Sequence, residues 1–228
     1  MITLAWPPRL RRRLFYGWWI VLACGCLQIL GSGFFYYGLS TFFLPLTRDF
    51  GWSRALTSSA FSLHRLEGGI IAPVVGFAFD RLGPRRLVTL GVALAGAGFV
   101  ILSQVGSFAG FVLSVLVASA GFSCGFGAVG MATVANWFIR RRTTALGLLM
   151  TGSGAGGLMV PVLAWLIENH GWRAAALAVG VVIWLFGLPL SQVVRHRPEA
   201  YGLLPDGDQR YPWSRPSKAR RRSQVWWQ

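Results

Sequence analysis

Two short stretches of this sequence carry most of its chemistry. The first is His64-Arg65-Leu66-Glu67-Gly68-Gly69, which interrupts an otherwise apolar block. A guanidinium fork is suited to a carboxylate. His64 and Glu67 stand three residues apart, so on a helix they share a face and can hold or pass a proton. Arg65 and Glu67 stand two apart and point to nearly opposite sides, so they do not pair directly. Arg65 follows Ala55 by ten residues, a rise of about 15 Å at 1.5 Å per residue. That is close to the middle of a hydrocarbon layer of about 30 Å, where an arginine costs roughly 2.5–3.5 kcal/mol. Two readings are open. In one, Arg65 binds an anionic substrate and His64 or Glu67 takes part in proton movement. In the other, these groups pair with polar side chains of neighbouring helices and hold them in register.

The second stretch is Gly76-Phe77-Ala78-Phe79-Asp80-Arg81-Leu82-Gly83-Pro84-Arg85-Arg86. It reads as a helix end, a tight Gly-Pro turn and a new helix start. Gly76, one turn before Asp80, is expected to let helices approach closely. Further polar groups at mid-depth are Gln28, Tyr36 and Tyr37 in the first apolar block and Ser119 and Ser123 in the fourth. Gln28 and Tyr37 are candidates to hydrogen-bond a substrate; interhelical hydrogen bonds worth roughly 0.6 kcal/mol each are the plainer reading. Gly121, Gly125, Gly127, Gly130, Gly147, Gly152 and Gly156 supply small faces for close packing.

The elements that position these groups are long and apolar. The 228 residues are 54% hydrophobic and 13% charged, with a mean hydropathy of +0.53; soluble domains carry about 25% charged residues. Six blocks are long enough to span a bilayer: about 16–43, 55–79, 87–105, 108–138, 143–167 and 174–194. None alternates with period two, which argues against a barrel. The expected fold is therefore an all-α membrane protein, a six-helix transmembrane bundle over residues 15–195. It has a basic start (1–14) and a polar, basic tail (196–228) without fixed structure. Basic residues at the N-terminus (Arg9, Arg11, Arg12, Arg13), Arg81, Arg85, Arg86, Arg140–Arg142, Arg195 and Arg197 fall on one side. Arg48, Arg54 and Arg173 fall on the other. The positive-inside rule then places both termini in the cytoplasm. Trp18, Trp19 and Trp137 near one boundary, and Trp52, Trp165 and Trp172 near the other, read as interfacial anchors.

Other classes are poorly served. The net charge of +15 lies in runs between apolar blocks, which speaks for lipid and against nucleic acid. The three histidines are scattered, so no metal site is expected. Seven acidic residues leave little room for catalytic carboxylate pairs, and no nucleotide loop follows a strand. The sequence points to no enzyme and no cofactor.

The connector of Gly76, Asp80, Arg81, Gly83, Arg85 and Arg86 resembles the signature between helices two and three of the major facilitator superfamily, with Pro84 where that family often has arginine. Tyr16-Gly17-Trp18-Trp19, Phe50-Gly51-Trp52-Ser53-Arg54, Trp137-Phe138-Ile139-Arg140-Arg141-Arg142, Gly171-Trp172-Arg173 and Arg197-Pro198-Glu199-Ala200-Tyr201-Gly202-Leu203-Leu204-Pro205-Asp206-Gly207 are similar to the branch with oxalate/formate and monocarboxylate carriers. The resemblance implies secondary transport of a small solute, an organic anion in that branch, in the plasma membrane. It implies two six-helix halves, each of two inverted three-helix repeats, with substrate between them. This chain resembles the first half alone, so a truncated or split carrier, an inactive remnant or a regulatory half is the alternative. A second half or another copy of the chain is the implied partner. Asp80 inherits the role of a latch on the facing half.

Overall fold

This computed structural model describes residues 15–195, apart from the side chains of Ala60, Phe61, Leu63, Arg65 and Leu66. The basic start and the tail lie outside the described residues. All regular structure among the described residues is helical.

The first rod is α1 (Tyr16–Leu30), a π-helical stretch (Gly31–Tyr37), a 3₁₀ turn (Gly38–Phe42) and α2 (Phe43–Phe50). It runs on past Phe43, where the apolar block was expected to stop, because Leu46 still packs in the core. Gly51, at φ 63, ends it. Next comes α3 (Arg54–Leu82), started by Ser53, whose hydroxyl accepts the Leu56 amide at 3.1 Å. Gly83 (φ 75, ψ 160) turns the chain, and Pro84 opens α4 (Pro84–Ser103). A proline suits this first position, where an amide would have no helical partner.

The fourth block was expected to be one helix. It is two, α5 (Phe108–Gly125) and α6 (Ala128–Trp137), separated by extended Phe126 and left-handed Gly127. The last stretch is α7 (Arg142–Ala155), a 3₁₀ turn (Gly156–Leu158) and α8 (Met159–Val193). Inside α8, Gly171 leaves helical geometry at φ 80, ψ 159. Four stretches of described residues are long and apolar enough to cross a membrane: Tyr16–Phe50, Pro84–Ser103, Phe108–Trp137 and Arg142–Val193. Arg54–Leu82 is not among them; Arg54, His64, Arg65, Glu67, Asp80 and Arg81 make it the most polar of the rods.

The sequence repeats within itself. The offset that carries Arg54 to Arg142 also carries Gly68-Gly69 to Gly156-Gly157, Pro73 to Pro161, Gly83 to Gly171 and Arg85 to Arg173. The two turn glycines have nearly the same backbone angles. Their arginines do matching work at opposite ends of the packed pair α4 and α8. Arg85 Nε donates to Gln192 Oε1 at 3.0 Å, near the end of α8. Arg173 donates to the Val105 carbonyl at 3.2 Å, just past the end of α4.

Packing is tightest around α4. A Cβ on Gly98 would stand 2.5 Å from the Ala118 amide nitrogen. Gly91 lies directly on the backbone of Gly125, and Gly96 lies under the Trp184 indole, which donates to the Ala93 carbonyl at 3.1 Å. On the other side, α1 meets α7 where Gly152 faces the Gly25 carbonyl. Close glycine contacts of this kind let helix backbones approach and gain dispersion where hydrophobic driving force is missing.

Candidate functional site

The polar cluster expected on α3 forms around α5. His64 Nδ1 lies 2.6 Å from the hydroxyl of Ser119, which is fully buried. The Glu67 carboxylate reaches the same serine. Its Oε2 is sealed from solvent and has no hydrogen-bond partner among the described atoms. The three-residue spacing thus brings His64 and Glu67 to one hydroxyl on a neighbouring helix. The backbone of Arg65 lies between them in α3; its side chain is outside the described atoms.

An aromatic column runs from this cluster. The Phe35 ring meets the His64 ring edge-on at 4.7 Å and stacks on Phe122 at 5.2 Å. Phe122 in turn stacks on Phe126 at 5.7 Å, at the break between α5 and α6. The column lies beside the π-helical part of the first rod, a geometry that recurs at functional sites. Gln28 sits at the other side of that break. It is 8% exposed, and its Oε1 accepts the Gly127 amide at 2.9 Å. Tyr37 is apart from this group: it is 38% exposed and packs edge-on against Tyr36 at 5.2 Å.

Below the cluster a groove of about 510 Å³ separates α3 from α5 and α6. Gly68, Ala72 and Gly76 line one wall; Ser123, Gly127 and Ala132 line the other. Asp80, exposed, stands among the lining residues. Gly76 does not serve a helix crossing as expected. A Cβ there would meet nothing within 4 Å, because α3 turns this face to the groove. Of the other connector residues, Gly83 makes the turn, Arg81 lies 4.3 Å over the Phe77 ring, Arg85 reaches Gln192, and Arg86 is exposed.

The tryptophans expected at the two boundaries differ in exposure. Trp19 and Trp165 are exposed on helix surfaces. Trp137 and Trp172 are buried instead, since each indole N–H has a protein acceptor. Trp137 donates to the Arg195 carbonyl at 3.0 Å, and Trp172 to Asp49 Oδ2 at 2.7 Å. Asp49 also lies 3.6 Å from Arg173, whose guanidinium covers the Trp172 ring at 4.4 Å. This knot ties the end of α2 to the kink in α8. Only packing brings these groups together, although Gly171-Trp172-Arg173 repeats the placing of Gly83-Pro84-Arg85 and marks the turn in the sequence.

The sequence matches the profile of the Major Facilitator Superfamily over residues 6–227. The chain belongs to that superfamily. It is accordingly a multi-pass membrane protein. Among its relatives is the uncharacterized MFS-type transporter YcxA of Bacillus subtilis (strain 168), 28% identical over 185 residues, covering 80% of this chain and 45% of that protein. Monocarboxylate transporter 11 of Homo sapiens is 32% identical over 178 residues, 73% of this chain and 36% of the transporter. The oxalate:formate antiporter of Oxalobacter formigenes is 26% identical over 179 residues, 78% of this chain and 42% of the antiporter. The chain spans less than half the length of these curated relatives.

Proposed function

We propose that the chain is one six-helix half of a secondary carrier for small organic anions, monocarboxylates among them, working by alternating access in the plasma membrane. Six spans follow if α3 crosses the bilayer and the stretch from Arg142 is divided at Gly171. The straight length of that stretch, about 78 Å at 1.5 Å per residue, is more than twice the hydrocarbon thickness. Both termini are then cytoplasmic.

The observation that carries the reading is the cluster of His64, Glu67 and Ser119 within apolar rods, at the head of an open groove. Ionisable groups at such depth are expensive and line substrate or ion paths by default. Arg65 supplies the charge for a carboxylate, with Gln28 and Tyr37 as further polar groups of this half. Asp80 acts as the latch toward a second six-helix half. No step of this scheme is enzymatic, and it uses no cofactor.

The test is uptake of a panel of labelled carboxylates into proteoliposomes. With a second six-helix half supplied, Arg65→Ala is expected to reduce saturable uptake to background while the chain still inserts and is expressed. Normal uptake by Arg65→Ala removes that residue from the site. A second reading rests on the short coverage of every relative named above: an inactive or regulatory half. The chain alone is expected to show no uptake, and saturable uptake to appear when a second half is supplied. Uptake by the chain alone would point to paired copies.

A further inference from the structure

The rod from Phe108 to Trp137 leaves helical geometry in its middle. Phe126 is extended (φ −129, ψ 171), and Gly127 takes φ 65, ψ −110, conditions that a glycine meets without strain. Within a membrane, backbone freed by such a break has to find partners in the protein. The Gly127 amide finds one in Gln28 Oε1 at 2.9 Å, across 99 residues of sequence. Beside it, Gly31 admits the Phe126 ring, which a Cβ would meet at 2.7 Å.

This break stands in the wall of the groove. Ser123 lies before it, Gly127 within it and Ala132 after it, all facing α3 across the same space. A swing of α6 about the break changes the width of the groove, and few-residue breaks of this type are where helices hinge. We infer that Gln28 is a positioning residue: its side-chain oxygen fixes the break between α5 and α6 and so sets the width of the groove. The inference rests on the carrier reading only for its consequence in transport; the hook and the groove belong to the chain itself.

The test uses the full chain in lipid vesicles, with Cys26→Ser and Cys124→Ser and the buried Cys24 retained. Ala132→Cys reports from the groove wall. Leu22→Cys, in a separate groove between α1 and α7, is the control. Each is labelled with a methanethiosulfonate reagent. Gln28→Met keeps the volume and removes the acceptor; the labelling rate at Ala132→Cys is expected to change at least threefold, with Leu22→Cys unaltered. Gln28→Glu keeps an acceptor oxygen and is expected to leave both rates as in the parent. An unchanged rate in Gln28→Met overturns the inference. So does an equal change at both reporters, which is general loosening, or a change in Gln28→Glu as large as in Gln28→Met. Failure of the carrier reading shows elsewhere, as absent carboxylate uptake with Gln28 intact.

Discussion

Glycines of α3 and of α4 stand in opposite surroundings. In α4, Gly91, Gly96 and Gly98 are pressed against Gly125, Trp184 and Ala118, and a Cβ on any of them collides. In α3, Gly68, Gly69 and Gly76 have nothing within 4 Å of where a Cβ would stand. The same residue type is used once to bring backbones together and once to keep a wall smooth. The difference divides the molecule into a fixed slab, α4 between α5 and α8, and an open wall, α3, whose apolar side chains Ile70, Val74 and Phe77 are largely exposed.

The most forceful way to break this division is to add bulk on each side of it. Gly91→Leu drives a side chain into the Gly125 backbone, and overpacking of a rigid site costs more than the usual 1–3 kcal/mol when no neighbour can give way. Loss of the monodisperse folded species in detergent is the expected result. Gly69→Leu should elute and melt like the parent, within about 0.5 kcal/mol. Equal damage from both would mean that α3 is packed after all.

A smaller effect sharpens the picture at the ends of the slab. Gly83 and Gly171 occupy a backbone region that is nearly closed to other residues, where a side chain costs on the order of 1–3 kcal/mol. Gly83→Ala and Gly171→Ala are each expected to lower the detergent melting temperature by several degrees, and by similar amounts, because the two turns repeat one another. A large inequality would show that the repeat is one of sequence and not of mechanics.

How much of this was legible beforehand follows the physics of each feature. The rods were visible because lipid selects for composition, and composition survives in a bare sequence. The turn at Gly83 was visible because Gly-Pro is local chemistry. The meeting of His64 and Glu67 at Ser119 was half visible: helical spacing put the first two on one face, but only packing names the third member. The break at Phe126-Gly127 was hidden, since α5 and α6 are both apolar and glycine is common in such helices. Trp137 and Trp172 misled because an indole suits an interface as well as a buried site, and a distant acceptor decides between them. Gly76 misled because glycine smooths a groove as well as a crossing.

The smallest expected effects separate the two arginine ties. Arg173 works inside a knot: its guanidinium covers Trp172 and Phe50, and the Trp172 N–H binds Asp49. Trp172 is 5% exposed but the Asp49 side chain is 50% exposed, so the hydrogen bond between them is only partly shielded. Trp172→Phe keeps the ring and removes the N–H, which is expected to cost about 0.5–1.5 kcal/mol, since the freed carboxylate can be hydrated. Arg85 is exposed and meets the neutral amide of Gln192. Arg85→Ala should therefore cost less, about 0–1 kcal/mol, although the two arginines hold corresponding places in the repeat. Thermal melting of both variants in one detergent makes the comparison. If Arg85→Ala proved the more damaging, the connector end of the α4–α8 pair, and not the Asp49 end, would be its firm attachment, and motion would have to be sought around Gly171.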